Sequence, residues 1–148
     1  MIQTERLVIR APRARERAAM FALFSDPANE RTDPGADAAQ VRRWAYGVPW
    51  GVWERVTGEL AGDCSLHYDR TFGAWELSYG FRRDRWGRGY ATEAAQAAVR
   101  YGFETMRVAR IVADVDPTNP ASSRVLEKCG FVKVRELEDG RLFYAATR

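Results

Sequence analysis

Two glycines stand two residues apart in an arginine-rich segment, directly before a long alanine-rich stretch. The segment reads Arg85-Trp86-Gly87-Arg88-Gly89-Tyr90, and Ala91 opens the stretch that follows. Glycine lets the backbone adopt positive φ and approach a ligand closely, and guanidinium groups bind phosphate oxygens. A helix that begins after such a loop offers free N–H groups and the positive end of its dipole. The pattern indicates a phosphate-binding loop, although a plain turn accounts for the glycine pair equally well.

The elements that must position this loop follow from hydrophobic periodicity and turn residues. Strands are predicted at residues 7–9, 50–56, 60–68, 75–81, 111–115, 132–137 and 142–145. Helices are predicted at residues 13–24, 38–46 and 91–106, and from Asn119-Pro120 to Cys129-Gly130, with a loop at residues 28–37. Short strands joined by tight turns favour antiparallel pairing, and the strand–loop–helix–strand run adds one parallel crossover. The fold class is therefore α+β.

Length and composition limit the classes of protein. With 148 residues, 46% of them hydrophobic, the chain is expected to form one domain over residues 1–148. No apolar run reaches the ~18–20 residues of a membrane span, and the charged start lacks the apolar stretch of a secretory signal. We therefore expect a cytoplasmic protein without a membrane partner. A net charge of +3 is too small to indicate nucleic-acid binding.

The sequence offers little material for metal or thiol chemistry. Cys64 and Cys129 do not form a CxxC pair, so we expect two reduced, buried thiols rather than a zinc site or a disulfide framework. His67 is the single histidine of the chain, which leaves little from which to build a histidine-based metal cluster or triad. We expect no metal.

A dinucleotide-binding fold is the first specific interpretation of the glycine loop. It requires Gly-x-Gly-x-x-Gly after the first strand of a parallel sheet, and an acidic residue roughly 20 residues later. Thr92 occupies the third glycine position, and Asp114 and Asp116 lie somewhat too far along the chain. The loop also follows several hairpin-linked strands. The match therefore fails in context.

Four sequence blocks follow one another along the chain: Glu76-Leu-Ser-Tyr-Gly-Phe, Trp86-Gly-Arg-Gly-Tyr-Ala-Thr-Glu-Ala, Asp116-Pro-Thr-Asn-Pro-Ala-Ser and Leu126-Glu-Lys-Cys-Gly-Phe. In this order they resemble the GNAT superfamily of N-acetyltransferases. The RimJ/RimL-like branch of ribosomal-protein acetyltransferases is the most similar, also in the opening Thr4-Glu-Arg-Leu-Val-Ile-Arg and the hairpin Thr57-Gly-Glu-Leu-Ala-Gly. The resemblance covers essentially the whole chain. It implies a mixed, mostly antiparallel central sheet with flanking helices and a splayed parallel strand pair.

The resemblance also implies acetyl-CoA as the cosubstrate. The CoA diphosphate is expected at the backbone N–H groups of residues 86–91, and pantetheine is expected at a strand edge, in a wedge between residues 75–81 and 111–115. Asn119 lies where the family contacts the pantetheine arm, and it is equally suited to cap the following helix. The predicted cofactor-binding residues are Tyr79, Gly80, Phe81, Arg85, Trp86, Gly87, Arg88, Gly89, Tyr90, Ala91 and Asn119.

Acetyl transfer to an amine requires a neutral nitrogen, whereas a lysine amine titrates near 10.4 and an α-amine near 7.7–8.0. A carboxylate, acting directly or through water, is a natural base, and a positioned donor must protonate the departing thiolate. By the resemblance, Glu76 is the candidate base; an exposed strand residue or a structural anchor is the alternative. Ser122 is the candidate acid, and a first-turn helix residue bonded to its own backbone is the alternative.

Other residues receive smaller roles. His67 lies on a predicted strand and is a candidate for the acceptor pocket. Glu93 favours the start of its helix electrostatically, so we assign it a structural role. Core packing, rather than a pocket wall, is the default for the tryptophans Trp44, Trp50, Trp53 and Trp75.

Three positions depart from the wider superfamily. Asp84 stands where GNAT enzymes often carry Gln or Arg, which is expected to weaken one phosphate contact. Leu126 stands where many members carry a tyrosine general acid, which leaves Ser122 or water as the donor. Residues 29–37 are short where relatives often have a longer acceptor-side segment, which leaves room for an acceptor different from theirs.

The sequence thus predicts an acetyl-CoA-dependent N-acetyltransferase in which an amine attacks the thioester directly in a ternary complex. The acceptor is a protein N-terminal amine or a small-molecule amine, and the sequence does not choose between them. A non-catalytic acyl-CoA-binding module of the same fold is the alternative. A homodimer is compatible with the sequence.

Overall fold

One mixed sheet of eight strands organises the chain in this computed structural model, which describes residues 1–25 and 50–148. The strand order is β1-β2-β3-β4-β5-β6-β8-β7. The strands are β1 (Ile2–Gln3), β2 (Leu7–Arg10), β3 (Gly51–Glu54), β4 (Leu60–Asp69), β5 (Ala74–Phe81), β6 (Arg110–Val115), β7 (Val132–Glu136) and β8 (Leu142–Thr147).

Three α-helices accompany the sheet in the described part of the chain: α1 (Arg17–Ser25), α2 (Tyr90–Glu104) and α3 (Pro120–Lys128). Short 3-10 turns at Ala14–Glu16 and Arg83–Arg85 precede α1 and α2. The alanine-rich sequence of α2 favours a helix intrinsically, and its small side chains let it pack close to the sheet. Gly102 marks the closest approach, because a Cβ there would lie 2.8 Å from Ile111 Cδ1 and 2.9 Å from Leu66 Cδ1.

The sheet has two faces with separate cores. The larger core joins α2 and α3 to one face, where Ala94, Ala95 and Leu126 are fully buried. A smaller cluster consists of Val112 from β6 and of Phe143 and Ala145 from β8. Because side chains alternate along a strand, neighbouring residues of β5 serve different faces, and this alternation separates the groups of the functional site.

The one parallel pair, β5 with β6, is short. Its register includes only Trp75 opposite Ile111 and Glu76 opposite Val112, although both strands continue beyond these residues. We call the opening between residues 77–81 of β5 and 113–115 of β6 the β5–β6 gap. Backbone groups of β5 that face this gap have no ladder partner in β6, so the predicted splayed pair is confirmed.

The predicted elements are largely confirmed, with shifted ends. The helix predicted at residues 13–24 begins as a 3-10 turn and becomes α1 at Arg17. The helical spacing of this segment favours Ala18 and Phe21 for burial, with Met20 or Phe24 as further candidates; the structure buries Met20, whereas Ala18 is exposed and Phe21 is 56% exposed. Strand β1 was not predicted. The loop predicted at residues 28–37 and the helix predicted at 38–46 lie outside the described residues.

Two expectations from composition also have structural outcomes. Cys64 and Cys129 form no disulfide; Cys64 is buried, Cys129 is only partly buried, and burial raises the pKa of Cys129 to about 11. Within residues 1–25 and 50–148, no helix has the length and apolar character needed to cross a bilayer.

Candidate active site

The glycine loop ends at the first turn of α2 and presents backbone donors. Gly87 and Gly89 have φ values of 75° and 77°, as their predicted role requires, and Gly89 is the N-cap of α2. No side chain caps this helix start. Among the described residues, the N–H groups of residues 87–92 have no hydrogen-bond acceptor. They are therefore available to an anion, at the positive end of the helix dipole.

Two of the predicted loop positions use their N–H groups internally. The N–H of Arg85 donates to the carbonyl of Arg82 at 2.9 Å, and that of Trp86 donates to the carbonyl of Arg83 at 3.2 Å. The indole of Trp86 reaches back to the carbonyl of Phe81, at 2.9 Å from Nε1. The first part of the loop is thus a fixed turn on the end of β5, and the free donors begin at Gly87.

The N-terminal segment braces the start of α2. Arg6 Nη1 donates to the carbonyl of Arg88 at 2.7 Å, and Arg6 Nε lies 2.6 Å from Glu93 Oε2. Thr4 Oγ1 donates to Glu93 Oε1 at 2.5 Å. Burial would raise the pKa of Glu93, but the hydrogen bonds from Thr4 and Arg6 outweigh it and lower that pKa. The predicted structural role of Glu93 is confirmed.

Arg85 and Arg88 have different surroundings, which the sequence did not separate. Arg85 Nε lies 2.9 Å from Glu54 Oε1, its Nη1 lies 3.0 Å from Asp84 Oδ2, and its Nη2 contacts Glu59, so three carboxylates surround it. Arg88 is half-exposed, and Glu54 lies 3.7 Å from its Nη1. Direct contact between the Arg85 side chain and a phosphate stays a prediction. The pairing of Arg85 with three carboxylates disfavours it. Arg88 is the guanidinium available to a ligand.

Glu54 is the buried centre of this network and ties the β3–β4 hairpin to α2. Its carboxylate accepts hydrogen bonds from Thr57 Oγ1 at 2.7 Å and from Tyr90 Oη at 3.0 Å. The Thr57 bond is the largest influence on the pKa of Glu54; burial opposes it, and Tyr90 and Arg85 reinforce it, so the pKa is lowered. The hydroxyl of Tyr90 is therefore engaged with Glu54, which leaves its backbone N–H for a ligand.

A hydroxyl pair stands at the β5–β6 gap. Tyr79 Oη lies 2.8 Å from Ser122 Oγ, between β5 and the first turn of α3. Asn119 caps that helix, because its Oδ1 accepts the Ser122 N–H at 3.2 Å, so the capping role considered for Asn119 is confirmed. Tyr79, Gly80 and Phe81 all follow the last β5–β6 pair and so border the gap. Their predicted pairing with pantetheine stays a prediction.

Glu76 is a buried carboxylate bonded to a histidine. It is 2% exposed, and its Oε2 lies 2.9 Å from His67 Nε2. The two residues face each other across the antiparallel β4–β5 pair. The side chain of His67 is 24% exposed, whereas the carboxylate it contacts is almost fully buried. The alternative of an exposed Glu76 is therefore wrong.

The structure places the two predicted catalytic residues on opposite faces of the sheet. Glu76 and Tyr79 are three positions apart on β5 and therefore point to opposite sides. Ser122 joins Tyr79 on the face covered by α2 and α3. Glu76 is also the last β5 residue paired with β6. The β5–β6 gap opens next to it, and a substrate placed in the gap has access to both faces.

Known proteins resemble this chain along most of its length. The family described as "Acetyltransferase (GNAT) domain" matches residues 6–132. The chain belongs to the GNAT family of acetyltransferases. The uncharacterized protein YkkB of Bacillus subtilis is 36% identical in an alignment 141 positions long that covers 86% of this chain and 82% of YkkB. The uncharacterized N-acetyltransferase YoaA of the same organism is 30% identical in an alignment 147 positions long that covers 90% of this chain and 83% of YoaA.

A solved structure agrees with the GNAT assignment. Spermidine N-acetyltransferase of Vibrio cholerae, in complex with CoA and spermine, matches with a TM-score of 0.75 over 97% of this chain and 96% of its own, at 16% identity. At that identity the likeness shows the fold alone. The predicted GNAT fold and the enzyme class, an N-acetyltransferase, are confirmed by the family and its relatives.

The GNAT departures noted in the sequence have structural explanations. Asp84 pairs with Arg82 at 2.8 Å as well as with Arg85, so its charge is compensated locally. Leu126 is fully buried in the core, and the hydroxyl of Tyr79, on β5, lies 2.8 Å from Ser122 Oγ. The sequence did not indicate this hydroxyl, because Tyr79 was assigned only through its strand backbone.

The tryptophans of this GNAT protein mostly serve packing. Trp53 is buried, with the Arg10 guanidinium 3.8 Å from its ring centroid. Trp50 packs against the larger core, and Trp75 meets Tyr68 edge-on with their ring centroids 6.0 Å apart. The core role expected of these residues is confirmed for Trp50 and Trp53. Trp44 and the short segment at residues 29–37 lie outside the described residues.

Proposed function

We propose that this GNAT protein transfers the acetyl group of acetyl-CoA to a primary amine by direct attack in a ternary complex. The observation that carries the proposal is the row of backbone N–H groups at residues 87–92, which have no acceptor among the described residues, together with the β5–β6 gap. Diphosphate is the anion that such a helix start accommodates well. The gap then gives an extended pantetheine arm a strand edge to pair with.

The residues at the site divide the work of binding. Gly87 and Gly89 bring backbone donors close to the diphosphate, and half-exposed Arg88 adds a charged hydrogen bond. Tyr79, Gly80 and Phe81 offer the β5 edge to the pantetheine amides, and Asn119 lies at the start of α3 on the same side as Tyr79. Arg85, Trp86 and Tyr90 hold the loop in shape through the bonds described above.

The proton transfers need one group on each side of the thioester. The Ser122–Tyr79 hydroxyl pair is suited to protonate the CoA thiolate as it leaves, because the two oxygens share a hydrogen bond at the gap. Glu76 belongs to the proton-accepting side, through the His67 ring that covers it. With the Ser122–Tyr79 pair as the proton donor, the site does not need the tyrosine that many GNAT enzymes carry at the position of Leu126.

The acceptor is an amine of one of two kinds. Similarity of the Asn119-x-x-Ser122 segment and of the chain's opening to the RimJ/RimL-like branch supports a protein N-terminal amine. The likeness in fold to an enzyme solved with spermine supports a small-molecule amine. We assign the activity to one domain over residues 1–148 that acts in the cytoplasm and needs no metal.

Thiol release tests the proposal. Purified protein with saturating acetyl-CoA is incubated with peptides that carry a free N-terminus, with N-terminally blocked copies of these peptides, and with spermine. Release of CoA thiol with one acceptor, together with the acetylated product by mass spectrometry, supports the proposal and selects the acceptor class. Binding of acetyl-CoA without transfer to any amine would favour a non-catalytic acyl-CoA-binding module.

A further inference from the structure

The Glu76–His67 pair has the arrangement of a general base that is held in place by a buried carboxylate. The antiparallel register of β4 and β5 sets His67 opposite Glu76, and their side chains meet at 2.9 Å between Nε2 and Oε2. Glu76 is nine-tenths or more buried, whereas the His67 ring is partly exposed. The imidazole is therefore the more accessible of the two groups.

The hydrogen bond fixes which ring nitrogen is basic. An ionised carboxylate only accepts hydrogen bonds, so the nitrogen that faces it must carry the proton. Nε2 is then the donor to Glu76, and Nδ1 keeps a lone pair. Among residues 1–25 and 50–148, Glu76 is the one hydrogen-bond partner of the ring. Imidazole is the side chain that most often serves as a general base.

The position of the pair suits the reaction. Glu76 is the last residue of β5 that pairs with β6, so it lies where the β5–β6 gap opens, and the His67 it contacts lies one strand away, on β4. The Ser122–Tyr79 pair borders the same gap from the opposite face. A thioester held in the gap would therefore have an acceptor of protons on one side and a donor on the other.

We propose that His67 is the catalytic base and that Glu76 is its positioning residue; this inference rests on the proposed acetyl transfer. One proton of the acceptor ammonium passes to His67 Nδ1, which leaves a neutral amine and an imidazolium. The amine nitrogen then bonds to the acetyl carbon, and the C–S bond breaks with its electron pair on sulfur. The second proton, lost by the nitrogen as the amide forms, neutralises the thiolate, and the imidazolium returns its proton to solvent.

A metal site is the competing use of the same residues. The donor atoms of His67, Asp69 and Glu76 all lie within 4.8 Å of one another. Asp69 Oδ1, however, already accepts the N–H groups of Thr71 at 2.7 Å and Phe72 at 3.0 Å. These bonds explain the position of Asp69 as part of the β4–β5 turn, so the group does not need an ion to account for it.

The test uses kinetics of His67→Gln and Glu76→Gln, with Ser65→Ala as the matched control on the same strand. His67→Gln is expected to lower kcat by roughly 10²–10³-fold, with the dissociation constant of acetyl-CoA unchanged. The acidic limb of the kcat/KM profile against pH is expected to vanish in this variant. Glu76→Gln is expected to lower kcat by roughly 10-fold and to keep that limb. Ser65→Ala should behave as wild type.

Because the chain has 1 histidine, nitrogen NMR of the ring needs no assignment and gives a readout independent of turnover. At pH 8 the wild-type ring is expected as the Nε2–H tautomer, and Glu76→Gln is expected to populate both tautomers. Melting temperatures of all variants report folding. An Nδ1–H tautomer in the wild type would overturn the proposal.

The remaining outcomes distinguish failure of the role of His67 from failure of the proposed acetyl transfer. Wild-type turnover with an undiminished His67→Gln variant would overturn the role of His67 and leave acetyl transfer standing. Loss of activity in Glu76→Gln alone would make Glu76 the direct base. Loss of activity after dialysis against EDTA, restored by Zn²⁺, would make His67 a ligand. A wild-type protein that binds acetyl-CoA but acetylates no amine would overturn the proposed function and, with it, this inference.

Discussion

The loop before α2 and the side-chain pairs at the β5–β6 gap use different parts of the chain for their chemistry. The loop works mainly through backbone N–H groups, which two glycines separated by Arg88 and a helix start expose within a few residues. The proton-handling pairs work through side chains that are far apart in sequence, nine residues for His67 and Glu76 and 43 for Tyr79 and Ser122.

The two regions are therefore sensitive to different substitutions. Most side chains of the loop can change without loss of its donors, because the donors belong to the backbone; only positions with positive φ or a free charge matter directly. At the gap, the proton-handling groups are side chains, so one substitution removes a group and leaves its partner in place. Binding and chemistry should therefore be separable by mutation.

Gly89→Glu tests the loop with the largest expected effect. The substitution adds a negative charge at the N-cap of α2 and forces a side chain onto a φ of 77°, which costs about 1–2 kcal/mol. We expect acetyl-CoA to bind at least ~100-fold more weakly, about 2.7 kcal/mol. The measurement is the rise in melting temperature that saturating acetyl-CoA produces.

Gly140→Glu is the matched control for this variant. Gly140 also has positive φ, 86°, in the turn between β7 and β8, and a side chain there would extend into open space. The variant should lose a similar amount of stability and retain the full shift with acetyl-CoA. Equal loss of the shift in both variants would remove the assignment of the loop.

Arg88→Ala and Arg85→Ala test the division within the loop. Arg88 is half-exposed and available, so its loss should weaken acetyl-CoA binding ~10-fold and leave the melting temperature nearly unchanged. Arg85 neutralises the buried Glu54, so its loss should lower the melting temperature by several degrees and change binding less. Calorimetric titration and thermal melts check both, and the reverse pattern would show that Arg85 is the phosphate ligand.

Ser122→Ala and Tyr79→Phe test the hydroxyl pair at the β5–β6 gap as the proton donor. Each variant should lower kcat by roughly 10-fold while acetyl-CoA affinity stays the same, because the remaining hydroxyl or water still supplies a proton. The double variant should cost less than the product of the two, since the two hydroxyls share one hydrogen bond. Ser123→Ala, on the next residue of α3, is the control. Wild-type kinetics in both single variants would identify water as the donor.

Thr57→Val gives the smallest effect, on acid stability. The Thr57 hydrogen bond helps lower the pKa of Glu54 from its ordinary value of 4.5, so the folded state binds this proton less readily than the unfolded state. The bond therefore stabilises the fold above about pH 4.5, and this contribution disappears as the pH falls through the lowered pKa. The variant should melt below wild type at pH 6, and the difference should shrink toward pH 3.

Thr71→Val serves as the control for this measurement, because Thr71 is an exposed residue of the β4–β5 turn. Its melting curve should follow that of wild type across the same range. A difference between Thr57→Val and wild type that does not depend on pH would show that Glu54 is not the group through which Thr57 acts.

The sequence was sufficient for features that depend on neighbouring residues. The glycine loop, the following helix and the cap at Asn119 depend on local conformational preferences; the helix predicted from Ala91 begins at Tyr90, and Asn119 is the N-cap considered from the sequence. Strand ends were less well predicted, because pairing with neighbours decides them. Helical spacing in α1 does not reveal which side meets the sheet, since Met20 is buried whereas Ala18 and Phe21 are exposed.

The remaining features need the three-dimensional arrangement. The enclosure of Arg85 by Glu54 and Glu59 depends on the β3–β4 hairpin lying beside the loop. The bond between His67 and Glu76 depends on the register of β4 against β5, and a shift of one residue would separate them. Alternation of side chains along β5 places Glu76 and Tyr79 on opposite faces, and this part of the site could have been found from the sequence.

Isothermal titration of the wild-type protein with acetyl-CoA, with NADH as the control ligand, tests the central claim most directly. The loop at the start of α2 and the adjoining gap predict a dissociation constant on the order of micromolar for acetyl-CoA, and no heat with NADH. Binding of NADH without binding of acetyl-CoA would contradict the account of the site.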